Sequence, residues 1–140
     1  MGIASEYLEA EDVLIVVWDG LVSPADWEQF VRQRLRDDPN WPSGKRRLAD
    51  VTTLDPSLLT SADVDVVTGL YHDRMENLVG TRQAIVATQG WDLARDFERR
   101  IDRLGATTVV FNDVESACAW LGTDAGVTRG VIDRLRSGLR

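Results

Sequence analysis

The sequence predicts an α/β fold: a mixed five-stranded sheet, with the first strand antiparallel and the rest parallel, flanked by helices and followed by a C-terminal helical extension. Short apolar runs alternate with segments in which apolar residues recur every three or four positions. Only a few residues, centred on Glu11-Asp12, separate the first two runs, which is hairpin spacing. Each later strand–helix–strand step requires a right-handed crossover, which makes the later strands parallel.

The five predicted strands differ in their burial patterns. The first, Ile3–Glu9, partly alternates between apolar and polar residues, as an edge strand does. The second, Val13–Trp18, is continuously apolar, which is typical of a strand covered on both faces, and Asp19-Gly20 is expected to end it. Three further runs complete the sheet, at 47–51, 83–88 and 107–111.

Four helices are predicted between and after these strands. Ser23-Pro24 with Asp26 forms a capping box at the start of the first helix, and a loop at 40–45 follows it. The second helix runs from Thr60-Ser61 to Gly80, and the third ends at a left-handed C-cap, Gly105. Asp113 caps the fourth.

The C-terminal part of the chain is predicted to be an amphipathic helical tail, residues 123–140, following a domain of residues 1–122. An apolar residue occurs at every fourth position, while three glycines in the same segment each weaken a helix by about 1 kcal/mol relative to alanine. The apolar ridge therefore needs a surface to cover, either its own domain or a second copy of the chain. We take its residues as a candidate interface: Val127, Val131, Leu135 and Leu139.

The overall charge excludes some classes of partner. The chain carries 23 acidic and 16 basic residues, a net charge of −7, which disfavours nucleic acid and stable membrane association. No apolar stretch approaches the length of a membrane span, and the first residues lack the features of a signal peptide, so a cytoplasmic location is expected. The single cysteine, Cys118, rules out an intrachain disulfide.

No catalytic, metal or cofactor site is predicted. The Gly-x-Ser-x-Gly, Gly-x-Gly-x-x-Gly and phosphate-loop motifs are absent, and His72 is the only histidine. Asp19, Asp50 and Asp113 stand at the ends of predicted strands, where convergence around a divalent ion is conceivable, but turn and cap chemistry explains each one separately and is preferred. A small enzyme that uses these strand-end carboxylates remains an alternative.

A family resemblance adds to this interpretation. The hairpin opening, the repeated αβ units and the run Val-Val-Phe-Asn-Asp-Val-Glu-Ser-Ala-Cys-Ala-Trp-Leu at 109–121 resemble the SpoIIAA-like group of STAS-like bacterial proteins. The resemblance covers residues 3–122. It implies a fold shared with anti-sigma factor antagonists and, more distantly, with CRAL-TRIO lipid-transfer domains.

The same resemblance implies a candidate phosphoacceptor. In the anti-sigma antagonists a serine at the start of the second helix is phosphorylated; the matching stretch here ends in Thr60-Ser61, without the aspartate and glycine of that motif. A hydroxyl at this position also serves as a helix cap, so both roles stay open. Ligands in such sheets bind beyond the carboxyl ends of the strands. The candidate cleft comprises Thr60, Ser61, Asp50, Thr52 and Ser57.

Two tryptophans in or beside loops, Trp41 and Trp91, complete the candidate interface, although each can equally fold back onto the domain. The sequence favours a non-enzymatic, STAS-like regulatory or interaction module that binds a protein partner or a second copy of itself as a homodimer. The alternatives are a CRAL-TRIO-like carrier of a small apolar ligand and the enzyme described above.

Overall fold

The computed structural model describes residues 2–38, 41 and 46–140. Its five strands form one sheet in the order β1-β2-β3-β4-β5, which is also their order along the chain. β1 is antiparallel to β2, and each later neighbour pair is parallel. The predicted fold class is confirmed. The strands are β1 (Ile3–Leu8), β2 (Val13–Leu21), β3 (Arg46–Asp55), β4 (Arg82–Val86) and β5 (Thr107–Phe111).

Six α-helices are present in the described part of the chain, in which no helix is long and apolar enough to cross a membrane. Of the predicted loop at 40–45, all but Trp41 lies outside the described residues. The helices are α1 (Pro24–Asp37), α2 (Ser61–Leu70), α3 (Met75–Leu78), α4 (Trp91–Asp102), α5 (Val114–Leu121) and α6 (Ala125–Leu139).

The strand order determines which helices cover which face of the sheet. Every parallel step moves to the next position in the same direction, and right-handed crossovers then place all the connecting helices on one face. Accordingly α1, α2 and α4 cover the same face, here called the α1–α2–α4 face, where they pack on Ala49 and Val51 of β3. The opposite face, the α5–α6 face, is covered by the two helices that follow β5, which pack on Leu48.

Two strands are longer than predicted. The expectation that Asp19-Gly20 ends β2 is wrong, because pairing with β3 resumes after an irregularity between Val17 and Asp19. The resumed ladder pairs Leu21 with Asp55, so β3 extends well past Val51 into the segment predicted to be a polar connection. Polar residues can continue these strands because the backbone of the neighbouring strand supplies their hydrogen-bond partners. The apolar runs used to predict the strands do not show where such pairing continues.

The second helix is broken, whereas a continuous helix was predicted as far as Gly80. α2 ends at Leu70, a short 3-10 turn follows at His72–Arg74, and α3 adds one further turn. At the break, the Arg74 guanidinium donates hydrogen bonds to backbone oxygens near the end of α1, including that of Trp41 at 2.8 Å. The break thus ties this segment to the end of α1.

The apolar ridge of α6 lies on the chain's own sheet, which is one of the two surfaces expected for it. Val131 is buried, and Leu135 and Leu139 pack half-buried against the same cluster of β2, β3 and α5 residues. Val127 differs, because about half of its side chain is exposed. The three packed residues are therefore covered by the sheet in this structure.

The arginines of α6 form ion pairs with carboxylates elsewhere in the chain. Arg136 lies 3.3 Å from Asp50, and Arg140 lies 3.0 Å from Asp19, so both carboxylates, which lie within β3 and β2, are paired with α6. Arg134 pairs with Glu6 on β1, and Arg129 pairs with Glu115 on α5. These contacts link α6 to four other elements: β1, β2, β3 and α5.

Breaking the Asp50–Arg136 pair should destabilise the protein. The Asp50 side chain is only 4% exposed, so an Arg136→Met substitution leaves a buried carboxylate without its cation. We expect a loss of about 3–5 kcal/mol in the free energy of unfolding, measured by urea denaturation. The double variant Asp50→Leu, Arg136→Met should recover most of that loss, and Arg134→Met should cost much less because its pair is exposed. Equal losses for Arg136→Met and Arg134→Met would contradict this account.

The Asp19–Arg140 pair should make stability depend on pH in the acid range. Hydrogen bonds from the Arg140 guanidinium are the main cause that holds the pKa of Asp19 below its ordinary value. A carboxyl group whose pKa is lower in the folded state than in the unfolded state stabilises the folded state at pH values above the unfolded pKa of about 3.9. This contribution is lost as the pH falls below that value and through the folded pKa. The stability advantage of the unmodified chain over Arg140→Met should therefore be largest at neutral pH and shrink below about pH 4. Urea denaturation across the pH range measures this difference in stability, and Arg103→Met, at an exposed position, is the control. Parallel curves of stability against pH for the unmodified chain and Arg140→Met would contradict the prediction.

Candidate functional site

A cavity of about 90 Å³ lies between the sheet and the helices of the α1–α2–α4 face. Its floor is apolar and comes from three adjacent strands, with Val16 from β2, Ala49 from β3 and Ile85 from β4. The helices contribute small or branched residues above this floor, such as Val31 from α1 and Ala94 from α4. The cavity is thus an unfilled part of the larger of the two cores.

Aromatic side chains line much of the cavity. Their contacts are edge-on or tilted: Trp18 to Trp27 at 5.1 Å, Trp27 to Phe97 at 6.2 Å, and Phe30 to Trp41 at 6.0 Å between ring centroids. These are the arrangements that aromatic pairs prefer. Rigid, large rings facing an open space are typical of ligand pockets.

Two polar side chains enter the cavity from the floor. Arg47 and Gln83 are direct neighbours in the β3–β4 register, and each is only 4% exposed. The Arg47 guanidinium stacks over the Trp41 ring at 4.8 Å. Among the described residues no carboxylate pairs with Arg47, and its Nε has no hydrogen-bond partner. A buried, unpaired cation is costly and is therefore the most unusual feature of this site.

The polar row continues onto β5. Thr108 pairs with Gln83 in the β4–β5 register, and its Oγ1 is likewise buried without a hydrogen-bond partner within residues 2–38, 41 and 46–140. Arg47, Gln83 and Thr108 therefore form a cross-strand row at the amino ends of three parallel strands. The row lies at the amino ends of the parallel strands, whereas the candidate cleft was expected at their carboxyl ends.

Trp41 is folded back onto the domain, which is one of the two positions expected for it. It is 3% exposed, and its backbone is fixed by hydrogen bonds from its N–H to the Asp38 oxygen at 3.0 Å and from Arg74 to its own oxygen. It forms a wall of the cavity and presents no surface to a partner in this structure.

Trp91 is exposed by 39% and lies at the start of α4, next to the cavity-lining Gly90. Gly90 has a positive φ of 70° and approaches Pro56, which brings the turn before α4 against the segment that follows β3. In that segment Leu58 is also exposed, beside the cavity-lining Leu59. The end of the cavity remote from Arg47 therefore has an apolar, partly exposed rim.

Asp50 and Thr52 come together on the other side of the sheet. One Asp50 carboxylate oxygen accepts hydrogen bonds from the Thr52 N–H at 2.8 Å and from its Oγ1 at 2.6 Å, and the other lies near Arg136. All three groups are on the side covered by α6. Their mutual contacts account for the buried Asp50 carboxylate.

Thr60 and Ser61 lie at the start of α2, where both are exposed. Thr60 is the N-cap and forms a capping box with Asp63. The Ser61 hydroxyl donates to Asp96 at 2.7 Å and accepts from Arg100 at 3.2 Å. The hydrogen bond from Ser61, with Arg100 nearby, holds the pKa of Asp96 below its usual value.

The candidate cleft residues therefore fall into separate groups. Asp50 and Thr52 lie on the α5–α6 face, where Arg136 of α6 contacts both. Thr60 and Ser61 lie at the start of α2 on the opposite face, where Ser61 contacts α4. Ser57 is exposed in the turn after β3, where its N–H binds the Asp55 side chain at 3.0 Å. The phosphoacceptor role of Thr60 or Ser61 remains a prediction.

The remaining strand-end groups have structural partners. Asp113 accepts the Ser116 N–H at 2.7 Å as the cap of α5, while Asp19 and Asp50 are held by α6. In the part of the chain that the structure describes, no group of three or more histidine, cysteine or acidic side chains is arranged to hold a metal ion.

Arg47 and Gln83 were not singled out from the sequence. Each stands at the start of a run predicted to be buried, Arg47 in 47–51 and Gln83 in 83–88. Polar residues at matching positions of two buried strands were the available signal, but only the strand register shows that they are neighbours.

Comparison with known proteins supports the architecture. No protein-family model and no curated protein matches the chain. Among solved structures, the chain is similar to an uncharacterised protein of the DUF3478 family with a SpoIIAA-like fold from Shewanella loihica PV-4. The identity is 22%, the TM-score is 0.54, and the match covers 86% of this chain and 94% of the other. The chain therefore has the SpoIIAA-like fold that its sequence resemblance implies.

Proposed function

We propose that this protein binds a small, predominantly apolar ligand in the cavity of the α1–α2–α4 face. The observation that carries the proposal is the unfilled, aromatic-lined space between the sheet and three helices. Protein interiors are normally packed without voids of this kind, and an empty apolar cavity binds apolar molecules that match its size. This is the carrier role that the CRAL-TRIO resemblance raised as an alternative.

The volume limits the ligand. Pockets for drug-sized ligands measure about 300–1,000 Å³, and this cavity is smaller, at about 90 Å³. It accommodates the body of a single ring or a short chain. A longer ligand requires α1, α2 or α4 to move away from the sheet.

The chemistry of the lining favours binding over catalysis. The polar side chains in the described lining include Arg47, Gln83 and Tyr71, while acids are not among its residues. These groups orient a ligand through hydrogen bonds and charge. We therefore propose a binding protein. Asp19 and Asp50, which an enzyme would use, lie in ion pairs with α6 and do not line this cavity.

Filling the cavity should abolish binding without unfolding the protein. Ala94 lies in α4 and lines the cavity, so an Ala94→Leu side chain occupies part of the space. We expect 1-hexanol to change the fluorescence of Trp18, Trp27 and Trp41 in the unmodified chain, and to have little effect in Ala94→Leu. Ala62→Leu, at an exposed position of α2, is the matched control and should bind like the unmodified chain. An identical response of Ala94→Leu and the unmodified chain would place the binding elsewhere.

A second candidate is the protein-interaction role, with a second copy of the chain as the partner. The observation that favours it is a group of exposed apolar residues near the carboxyl ends of the parallel strands, Leu21, Leu58 and Trp91. Leu21 pairs with Asp55, and Gly90 lies close to Pro56, so the segments that carry these residues are adjacent. Exposed tryptophan is enriched at the centres of protein interfaces.

Light scattering on the intact chain tests this second candidate. If two copies associate through this edge, the unmodified protein should be a dimer at high concentration and Trp91→Ser should shift it towards monomer. Val79→Ser is the matched control, since Val79 is also exposed but precedes β4, at the amino ends of the parallel strands. A strict monomer at every concentration would exclude the homodimer. Substitutions are used instead of deleting residues 123–140, because that deletion would also expose the part of the sheet that α6 covers.

A further inference from the structure

We infer that the ligand carries a carboxylate, which binds Arg47 and Gln83 at the floor of the cavity. This inference rests on the proposed function and specifies its ligand as a small monocarboxylate with an apolar body. It follows from the burial of Arg47 without a carboxylate partner among residues 2–38, 41 and 46–140.

Arg47 meets the conditions for an anion site. It is 4% exposed, and no ion pair or hydrogen bond satisfies it among the described residues; its Nε is buried without an acceptor. The Trp41 ring stabilises one face of the guanidinium at 4.8 Å. Cation–π contact leaves the N–H edge of the guanidinium unsatisfied, and that edge is the part that binds a carboxylate through two parallel hydrogen bonds.

Gln83 supplies a second donor at the same place. It is the register neighbour of Arg47, lines the cavity and has no side-chain hydrogen bond within the described ranges. A neutral amide beside a guanidinium adds a donor without adding charge. One cation and one amide match a monoanionic carboxylate better than a phosphate dianion, which needs more donors and more space than about 90 Å³ provides.

The position of Arg47 also orients the ligand. The cavity follows β3 from Arg47 near its amino end to Leu54 near its carboxyl end, and the residues between them on this face are apolar. The carboxylate then lies at the Arg47 end, between the sheet and Trp41. The apolar body points along β3 towards Leu59 and Gly90, which line the cavity beside the exposed Leu58 and Trp91.

Three probes of equal chain length test the inference on the unmodified protein. Hexanoate, hexanamide and 1-hexanol are titrated by tryptophan fluorescence and calorimetry. We expect hexanoate to bind at least about tenfold more tightly than either neutral probe, because a hydrogen bond between two charged groups is stronger than one that involves a neutral ligand group. Hexanoate binding no tighter than hexanamide would overturn the inference while leaving the proposed function intact. Absence of binding by all three would overturn both.

Substitution locates the effect. Arg47→Met keeps the length of the side chain and removes its charge, so it should lose about tenfold in hexanoate affinity and retain hexanol binding. Arg47→Lys keeps the charge but not the planar guanidinium, so its hexanoate affinity should lie between those of the unmodified chain and Arg47→Met. Arg103→Met at the end of α4 is the matched control for loss of a positive charge. Unchanged hexanoate affinity in Arg47→Met would place the anion elsewhere.

Hexyl phosphate distinguishes the head group. A carboxylate site should prefer hexanoate, and equal or tighter binding of hexyl phosphate would overturn the carboxylate assignment. This comparison uses the unmodified chain, so it does not depend on the folding of any variant.

Discussion

A sheet whose central strands are apolar on both faces has to be covered on both faces. Here the right-handed crossovers can cover only one of them. The strands follow one another in chain order, so all three crossover segments lie on the α1–α2–α4 face. Val13, Ile15 and Val17 point to the opposite face and are buried there. Only residues after β5 are left to cover them. The pairing of α5 with α6 is the consequence of this topology.

α6 also determines which carboxylates of β2 and β3 are available to a ligand. Its arginines occupy Asp19 and Asp50, which in many open α/β sheets would be free to meet a ligand. The space that remains is on the α1–α2–α4 face, where large rings meet edge-on and leave a void. The ionic and apolar features of the molecule are therefore separated by the sheet. Binding in the cavity does not require the α6 ion pairs to open.

The sequence predicted those features that depend on neighbours in the chain. The capping box of Ser23 and Asp26, the caps at Thr60 and Asp113, and the apolar runs of the strands are all local, and the structure has them. The pairing of Arg47 with Gln83 depends on the register between two strands, and that of Asp50 with Arg136 depends on where α6 lies. Periodicity contains neither piece of information. The extension of β3 was missed for the same reason, since its polar residues are strand only because β2 continues beside them.

The late position of α5 and α6 along the chain has a consequence for biosynthesis. Synthesis proceeds from the amino terminus, and all five strands precede the helices that cover the α5–α6 face. A nascent polypeptide that has already paired its strands on the ribosome still exposes an aliphatic surface to other chains. Chaperone contact during translation should therefore concentrate in the interval between the emergence of β5 and that of α6, when this surface is open to aggregation.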